Sequence, residues 1–206
     1  MRLKKMVFGF LIISFSCLLC FNTYAQSRQD PVALLQYIAN NMIAGLKANQ
    51  ATLKNKPQIV YRLAYRYVVP YADLTNMSKR VLPPQIWNSA TPAQRKRFEK
   101  EFTTTLIRTY ASALAAYQDQ TVRFYPVRGN YQSQSSVEVS SDIISSQNEP
   151  IHVTYRLIRS GGGWRLYDMS VEGVSMLESF RAQFSDILSH GNMDQLLQRM
   201  SQHNTR

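Results

Sequence analysis

Trp164-Arg165-Leu166-Tyr167-Asp168-Met169-Ser170-Val171-Glu172-Gly173-Val174-Ser175-Met176 is the stretch that decides the fold. It opens as a strand. Strict alternation would put Trp164, Leu166, Asp168 and Ser170 on one side and Arg165, Tyr167, Met169 and Val171 on the other. Neither set is purely polar, which predicts cover on both faces. The pattern breaks at Glu172-Gly173, where glycine lets the backbone change direction. From Val174 onward the apolar spacing becomes helical: Val174, Leu177, Phe180, Phe184, Ile187, Leu188. A strand that runs straight into a helix brings that helix back over its own sheet. The functional cavity is expected where the two meet.

The residues before this stretch are also strand-like. Thr121–Val127 alternates Val122, Phe124 and Pro126 against Arg123 and Tyr125. Ser135–Ser145 carries Val137, Val139, Ile143 and Ile144, and Ile151–Arg159 alternates Ile151, Val153, Tyr155 and Leu157 against His152, Thr154, Arg156 and Ile158. Ser160-Gly161-Gly162-Gly163 reads as a hairpin turn into the Trp164 strand. A phosphate-cradling loop is the weaker reading of this glycine run, because it joins two strands and opens no helix. The sum is an antiparallel sheet of about four strands, flanked by helices: an α+β fold.

Further back the chain is helical. Asp30-Pro31 is an N-cap with proline at the first helical position, and Leu34, Leu35, Ile38, Met42 and Leu46 follow at helical spacing. Asn49–Lys56 reads as a polar loop, with Lys47, Lys54 and Lys56 on and around it. Pro57 opens a second helix rich in tyrosine (Tyr61, Tyr65, Tyr67, Tyr71), which Pro70 breaks. A short helix over Asp73–Val81 and a stop at Pro83-Pro84 come next. Thr91-Pro92-Ala93-Gln94 is a capping box. It predicts a helix to about Tyr117 with Phe98, Phe102, Leu106, Tyr110, Ala113, Leu114 and Tyr117 as its apolar stripe. After the sheet, a helix from Val174 to about His190 and a last one over Met193–Met200 are expected, with Gln202–Arg206 frayed.

The N-terminus reads as an address. Arg2, Lys4 and Lys5 precede an apolar run from Met6 to Phe21, and Thr23-Tyr24-Ala25 supplies small residues for cleavage before Gln26. The expected division is therefore a signal peptide over 1–25 and one domain over 26–206. An uncleaved anchor is disfavoured by the shortness of the run. Acylation is the other alternative, but Leu19 precedes Cys20 and Ser14 stands where a lipobox before Cys17 requires leucine. Both cysteines leave with the leader, so the mature chain has no thiol chemistry. With its three leader cations removed, the chain carries 21 basic against 13 acidic residues, a net +8. That balance favours anionic partners, with nucleic acid the least expected after export to the periplasm.

Catalytic patterns are sparse. His152, His190 and His203 stand apart, with no second histidine or carboxylate at metal-ligand spacing. There is no Gly-x-Ser-x-Gly elbow and no P-loop. Asp168 is the one carboxylate with a prospect of burial. Its plainer reading is a tie to backbone or to an arginine, and its sharper reading is a general base in a small pocket. Arg95, Lys96, Arg97 and Lys100 crowd the start of a helix, where positive charge opposes the dipole. That makes them candidates for partner docking, beside the plainer reading of a solvated charged face.

Several segments together resemble the MlaC family, also called toluene-tolerance auxiliary proteins. They are Val69-Pro70-Tyr71 with Asp73, Ala90-Thr91-Pro92-Ala93-Gln94-Arg95, Tyr110-Ala111, Tyr167 through Met176, and Arg181-Ala182-Gln183-Phe184. The resemblance spans essentially the whole mature chain. Val81-Leu82-Pro83-Pro84 departs from it where members commonly have a glycine after the leucine. The resemblance implies a helical layer on a curved four-stranded sheet, enclosing phospholipid tails in an apolar cavity. It implies a periplasmic carrier, not an enzyme, that needs no cofactor. Such a carrier shuttles phospholipid between an outer-membrane lipoprotein complex and an inner-membrane ABC transporter complex, with transient membrane contact, and so keeps the outer membrane asymmetric.

A diacyl lipid carries ~30 methylenes at ~0.8 kcal/mol each, or ~24 kcal/mol in all, too much for an open groove. The tails need apolar walls without internal charge. Candidate walls are Tyr65, Val69, Phe98, Phe102, Leu106 and Tyr110 from helices, and Phe124, Val139, Val153, Tyr155, Leu157, Tyr167, Met169 and Val171 from the sheet. Alternation leaves open which strand face lines the cavity. The rival readings are a small-molecule enzyme using Asp168 and a basic adaptor for anionic partners.

Overall fold

The computed structural model describes residues 29–53 and 55–205. The expected signal peptide with its cleavage site, Cys17 and Cys20, as well as Lys54 and Arg206, lie outside the described residues. Helix α1 (Pro31–Ala48) starts as read: the Asp30 carboxylate accepts from the Val32 and Ala33 amides at 2.8 and 3.1 Å. The expected polar loop after it contains a helical turn, α2 (Gln50–Leu53), because Leu53 is buried and anchors it. Helix α3 (Gln58–Tyr67) gives way at Pro70 to a 3-10 turn, Val69–Tyr71. Asp73 caps α4 (Leu74–Val81), accepting from the Asn76 amide at 3.0 Å.

Pro83-Pro84 is not a stop. Pro84 is the first residue of another helix, α5 (Pro84–Ser89), where the lost amide would have had no partner anyway. Helix α6 (Pro92–Ala115) begins at the capping box, with Gln94 N to Thr91 Oγ1 at 3.2 Å and Thr91 N to Gln94 Oε1 at 2.9 Å.

The sheet has five strands rather than about four, in sequential antiparallel order: β1 (Thr121–Phe124), β2 (Ser136–Ile144), β3 (Ile151–Ser160), β4 (Gly163–Val171) and β5 (Val174–Ser175). The glycine run is the β3–β4 hairpin, with Gly161 and Gly162 both at positive φ. The fifth strand corrects the reading of Val174 as helical. Glu172 and Gly173 both have positive φ, 48° and 80°, so the chain makes a second tight hairpin and pairs Val174 with Val171. Helix α7 (Met176–Ser189) starts only after that, capped by Ser175. Helix α8 (Met193–Thr205) follows, with Asn192 and Gln195 bonded reciprocally at its start.

The fraying expected over Gln202–Arg206 does not occur in the described part, Gln202 to Thr205, which is helical. The Asn204 amide donates to the Glu101 carbonyl at 3.0 Å, and its side-chain oxygen accepts from Thr105 at 3.1 Å. Both partners are on α6, which pins the last turn of α8.

The alternation read for β4 is corrected by one residue. Arg156 pairs with Asp168, but its neighbour Leu157 pairs with Leu166, so Tyr167 is an extra residue in a β-bulge. A bulge flips the parity. Trp164 and Leu166 therefore share a face with Met169 and Val171, while Arg165, Asp168 and Ser170 share the other.

Asp168 is buried at the junction between sheet and helices. Its carboxylate accepts from Arg156 at 2.8 Å, Ser175 Oγ at 2.8 Å, the Met169 amide at 2.8 Å and the Leu177 amide at 3.2 Å. This is the plainer of its two sequence readings. The start of α7 also favours a negative charge there. Asp168→Ala is expected to cost about 3 kcal/mol, because it unties α7 and leaves a guanidinium without its buried partner. Urea unfolding measures this, and a loss below about 0.5 kcal/mol would show that side-chain packing alone holds α7.

Candidate functional site

The ladder registers sort the sheet into two unlike faces. Across β1 to β4 one face carries Val122 and Phe124; Val137, Val139, Ser141 and Ile143; Ile151, Val153, Tyr155 and Leu157; and Trp164, Leu166, Met169 and Val171. None of these is ionised; Arg159, which pairs with Trp164, adds one charge to this face at its end. The single hydroxyl pair among them, Ser141 and Tyr155, bonds internally at 3.2 Å. Burial raises the Tyr155 pKa, with the Ser141 bond acting the other way. Phe124 and Tyr155 lie ring to ring at 5.6 Å.

Helix α1 covers this face with Leu34, Leu35, Ile38 and Met42. Leu63, Tyr67 and Tyr71 complete the cover from α3 and the 3-10 turn, as does Leu114 from the end of α6. Much of this cover is only half-buried, including Tyr37, Tyr67, Tyr71, Phe124, Tyr131, Tyr155 and Leu166. A bond to Tyr71 and then burial raise the Tyr37 pKa. At one end the face is closed. Trp164 donates to the Gln29 carbonyl at 3.1 Å, and the Arg159 guanidinium sits 4.4 Å over its ring. Arg159 also donates to the carbonyls of Gln132 and Gln134.

The opposite face is polar. Glu138, Arg156 and Asp168 run across it as one ion-paired row, with Arg156 reaching Glu138 at 2.8 Å and Asp168 at 2.8 Å. Asp142 is shared between the Tyr125 hydroxyl and His152 Nδ1, the latter at 3.0 Å. First the Tyr125 bond, then the His152 bond, hold the Asp142 pKa below its ordinary value.

The structure brings together seven of the residues singled out in the sequence: Phe124, Val139, Val153, Tyr155, Leu157, Met169 and Val171 share the apolar face. It separates the others from it. Tyr167 sits in the bulge and packs on the helices, with the Arg80 guanidinium 4.5 Å over its ring. Phe98 and Phe102 are fully buried among Phe180 and Phe184 of α7, at ring separations of 5.4 to 5.7 Å. Leu106 and Tyr110 border that same helical core. Burial first, then the charge of Asp168, raise the Tyr110 pKa. Tyr65 is 44% exposed and bonds Thr104 at 3.2 Å, while Val69 is half-buried in the 3-10 turn.

Of the four cations, Arg95 is tied to its own neighbourhood, bonding the Trp87 and Asn88 carbonyls and stacking on Trp87. Lys96, Arg97 and Lys100 are exposed. Residues that sequence reasoning missed are Trp164 and Leu166, hidden by the bulge, and the α1 stripe, which was visible as a buried face but not as a cover for the sheet.

Two clefts are defined away from this face. One of about 440 Å³ lies between α7 and α8, beside His190, Gln195 and Arg199. The other, about 480 Å³, lies between α2, α3 and α6, beside Leu53, Tyr61 and Ala111. Neither is the space expected between helix and sheet, beside which the half-buried side chains named above are packed. Among the described residues no group of three or more His, Cys, Asp or Glu is placed to hold a metal.

A largely apolar sheet face under a partial helical cover defines a class: α+β proteins whose sheet has one apolar and one polar face. The chain belongs to the MlaC family, whose profile, described as MlaC protein, matches residues 36–202. It is similar to the toluene tolerance protein ttg2D of Pseudomonas putida, 27% identical over 178 residues, 86% of this chain and 81% of that one. It is also similar to the intermembrane phospholipid transport system binding protein MlaC of Haemophilus influenzae, 27% identical over 181 residues, 86% of this chain and 84% of that one. Among solved structures it resembles a phospholipid-binding protein of Ralstonia solanacearum in complex with a phospholipid. That match has a TM-score of 0.78 and 30% identity, over 85% of this chain and 97% of that one.

Tyr125→Phe is expected to bring the Asp142 pKa back up toward the ordinary carboxylate value, by removing the largest cause of its depression. A carboxyl-carbon NMR titration measures it. An unchanged Asp142 would mean that His152 alone sets its ionisation.

Proposed function

We propose that this protein is a periplasmic phospholipid carrier that holds acyl tails between the apolar sheet face and α1. The observation that carries the reading is the run of uncharged side chains across four strands, together with the likeness to a structure that contains a phospholipid. Tails of ~30 methylenes gain ~0.8 kcal/mol for each one buried, which offsets displacing the half-buried tyrosines and parting α1 from the sheet. That opening would leave the helical core around Phe98, Phe102, Phe180 and Phe184 untouched, because α1 does not contribute to it. The tail walls are then Phe124, Val139, Val153, Tyr155, Leu157, Met169 and Val171, with Leu166 added. The head group stays in water. The domain is exported by the segment 1–25 and exchanges lipid with an outer-membrane lipoprotein complex and an inner-membrane ABC transporter complex.

Exposed Lys96, Arg97 and Lys100 supply a docking surface for acidic partners or anionic membrane. No cofactor is required. The enzyme alternative loses support from the geometry of Asp168, whose carboxylate is engaged by four donors on the polar side of the sheet.

The test is native mass spectrometry of the mature protein purified without detergent, followed by organic extraction. A bound mass matching phospholipid is expected, and a protein that is empty and also fails to take lipid from vesicles overturns the carrier reading. Val153→Asp and Met169→Asp, checked for native circular dichroism, should each lose the bound lipid. Met169 is only half-buried, so its variant keeps the experiment informative if Val153→Asp fails to fold. Charge reversal of Lys96, Arg97 and Lys100 together should weaken binding to anionic vesicles, and added salt should do the same to the unaltered protein. Binding that is indifferent to both would remove the docking role.

A further inference from the structure

The apolar face is sealed at one end and open at the other. Leu157 and Trp164, at the sealed end, are 0% and 2% exposed, and Val153 in the middle is 1% exposed. At the opposite end Ile151 is 41% exposed and Val174 63%. Solitary exposed aliphatic residues are ordinary. These two are not solitary. Val174 pairs with Val171, which pairs with Val153, and Ile151 lies two residues before Val153 on the same face. The next side chain in the Ile151 row is Ile143, which is half-buried. The route from rim to covered interior is therefore aliphatic throughout.

We propose that Val174, on the β4–β5 hairpin, and Ile151, at the start of β3, form a lip over which a phospholipid tail passes between a bilayer and the covered face. This rests on the carrier reading above. Hydrocarbon is the occupant that the chemistry selects, because a chain sliding from Val174 over Val171 to Val153 meets no donor, acceptor or charge that would lose its water. Both acidic groups beside the lip are engaged, and Asp142 lies on the opposite face. Glu172 accepts from the His152 amide, and Asp142 accepts from Tyr125 and His152. The two-residue loop, with both residues at positive φ, holds Val174 out on a short edge strand.

The test uses the full mature protein and vesicles of phosphatidylethanolamine and phosphatidylglycerol that carry a phospholipid with a fluorescent tail. Val174→Glu is compared with Val174→Met and with Gln198→Glu, which adds the same charge on α8. Val174 is exposed, so the fold should tolerate all of these. Transfer to Val174→Glu should slow by at least about tenfold, since the tail must then pass a charge. Val174→Met and Gln198→Glu should stay within about twofold of the unaltered protein. Lipid already bound at purification should be retained by Val174→Glu, because the covered face is unchanged.

Unimpaired transfer in Val174→Glu overturns the lip and leaves the carrier reading standing. Equal slowing in Gln198→Glu also overturns it, by showing an effect of net charge alone. An unaltered protein that neither holds nor takes up lipid overturns both together.

Discussion

The carboxylate of Asp168 joins the two halves of this molecule. It sits on β4 and is held by Arg156 from β3, by the N-cap Ser175 and by the Leu177 amide of α7. Two strands and one helix therefore meet on a single buried charge. A buried carboxylate tolerates this position only because four donors and the positive end of a helix surround it. The same ties determine where α7 leaves the sheet, and α7 carries Phe180 and Phe184 into the helical core.

Asp168 reaches that junction because of the extra residue beside it. Without the bulge at Tyr167, the parity of β4 would place Asp168 with Trp164 and Leu166, on the face that α1 covers. One inserted residue turns the carboxylate to the polar side and Met169 and Val171 to the apolar side. The result is a sheet with Glu138, Arg156 and Asp168 linked across one face and Val139, Val153, Tyr155, Leu157, Met169 and Val171 on the other. A largely apolar face and an ion-paired polar row are made by the same strands.

The separation of cores has a further consequence. The helices α4 to α8 pack around Phe98, Phe102, Phe180 and Phe184, independently of the apolar sheet face. The cluster under α1 is more exposed, with many half-buried aromatics. Tight packing resists change while loosely covered surface yields to a ligand. The two clusters therefore divide the molecule into a buried helical core and a partly exposed sheet cover.

Much of the chain could be read locally. The Thr91–Gln94 capping box, the Asp30-Pro31 start and the Gly161-Gly162 hairpin all appear as read, because caps and turns depend on a few adjacent residues. The alternation of β3 was equally legible, and with it Ile151, Val153, Tyr155 and Leu157 as one set. What the sequence could not supply were choices made by distant partners. A bulge exists only relative to the strand opposite, so the faces of β4 were misassigned until its register was known. The α6 stripe declared Phe98 and Phe102 buried but not that α7, rather than the sheet, would bury them. Asn204 looked like part of a frayed end until Glu101 and Thr105 met it across α6. Local propensity is set by neighbours in the chain, whereas register, packing partners and the exposure of Val174 are set by contacts that form only when the whole chain has folded.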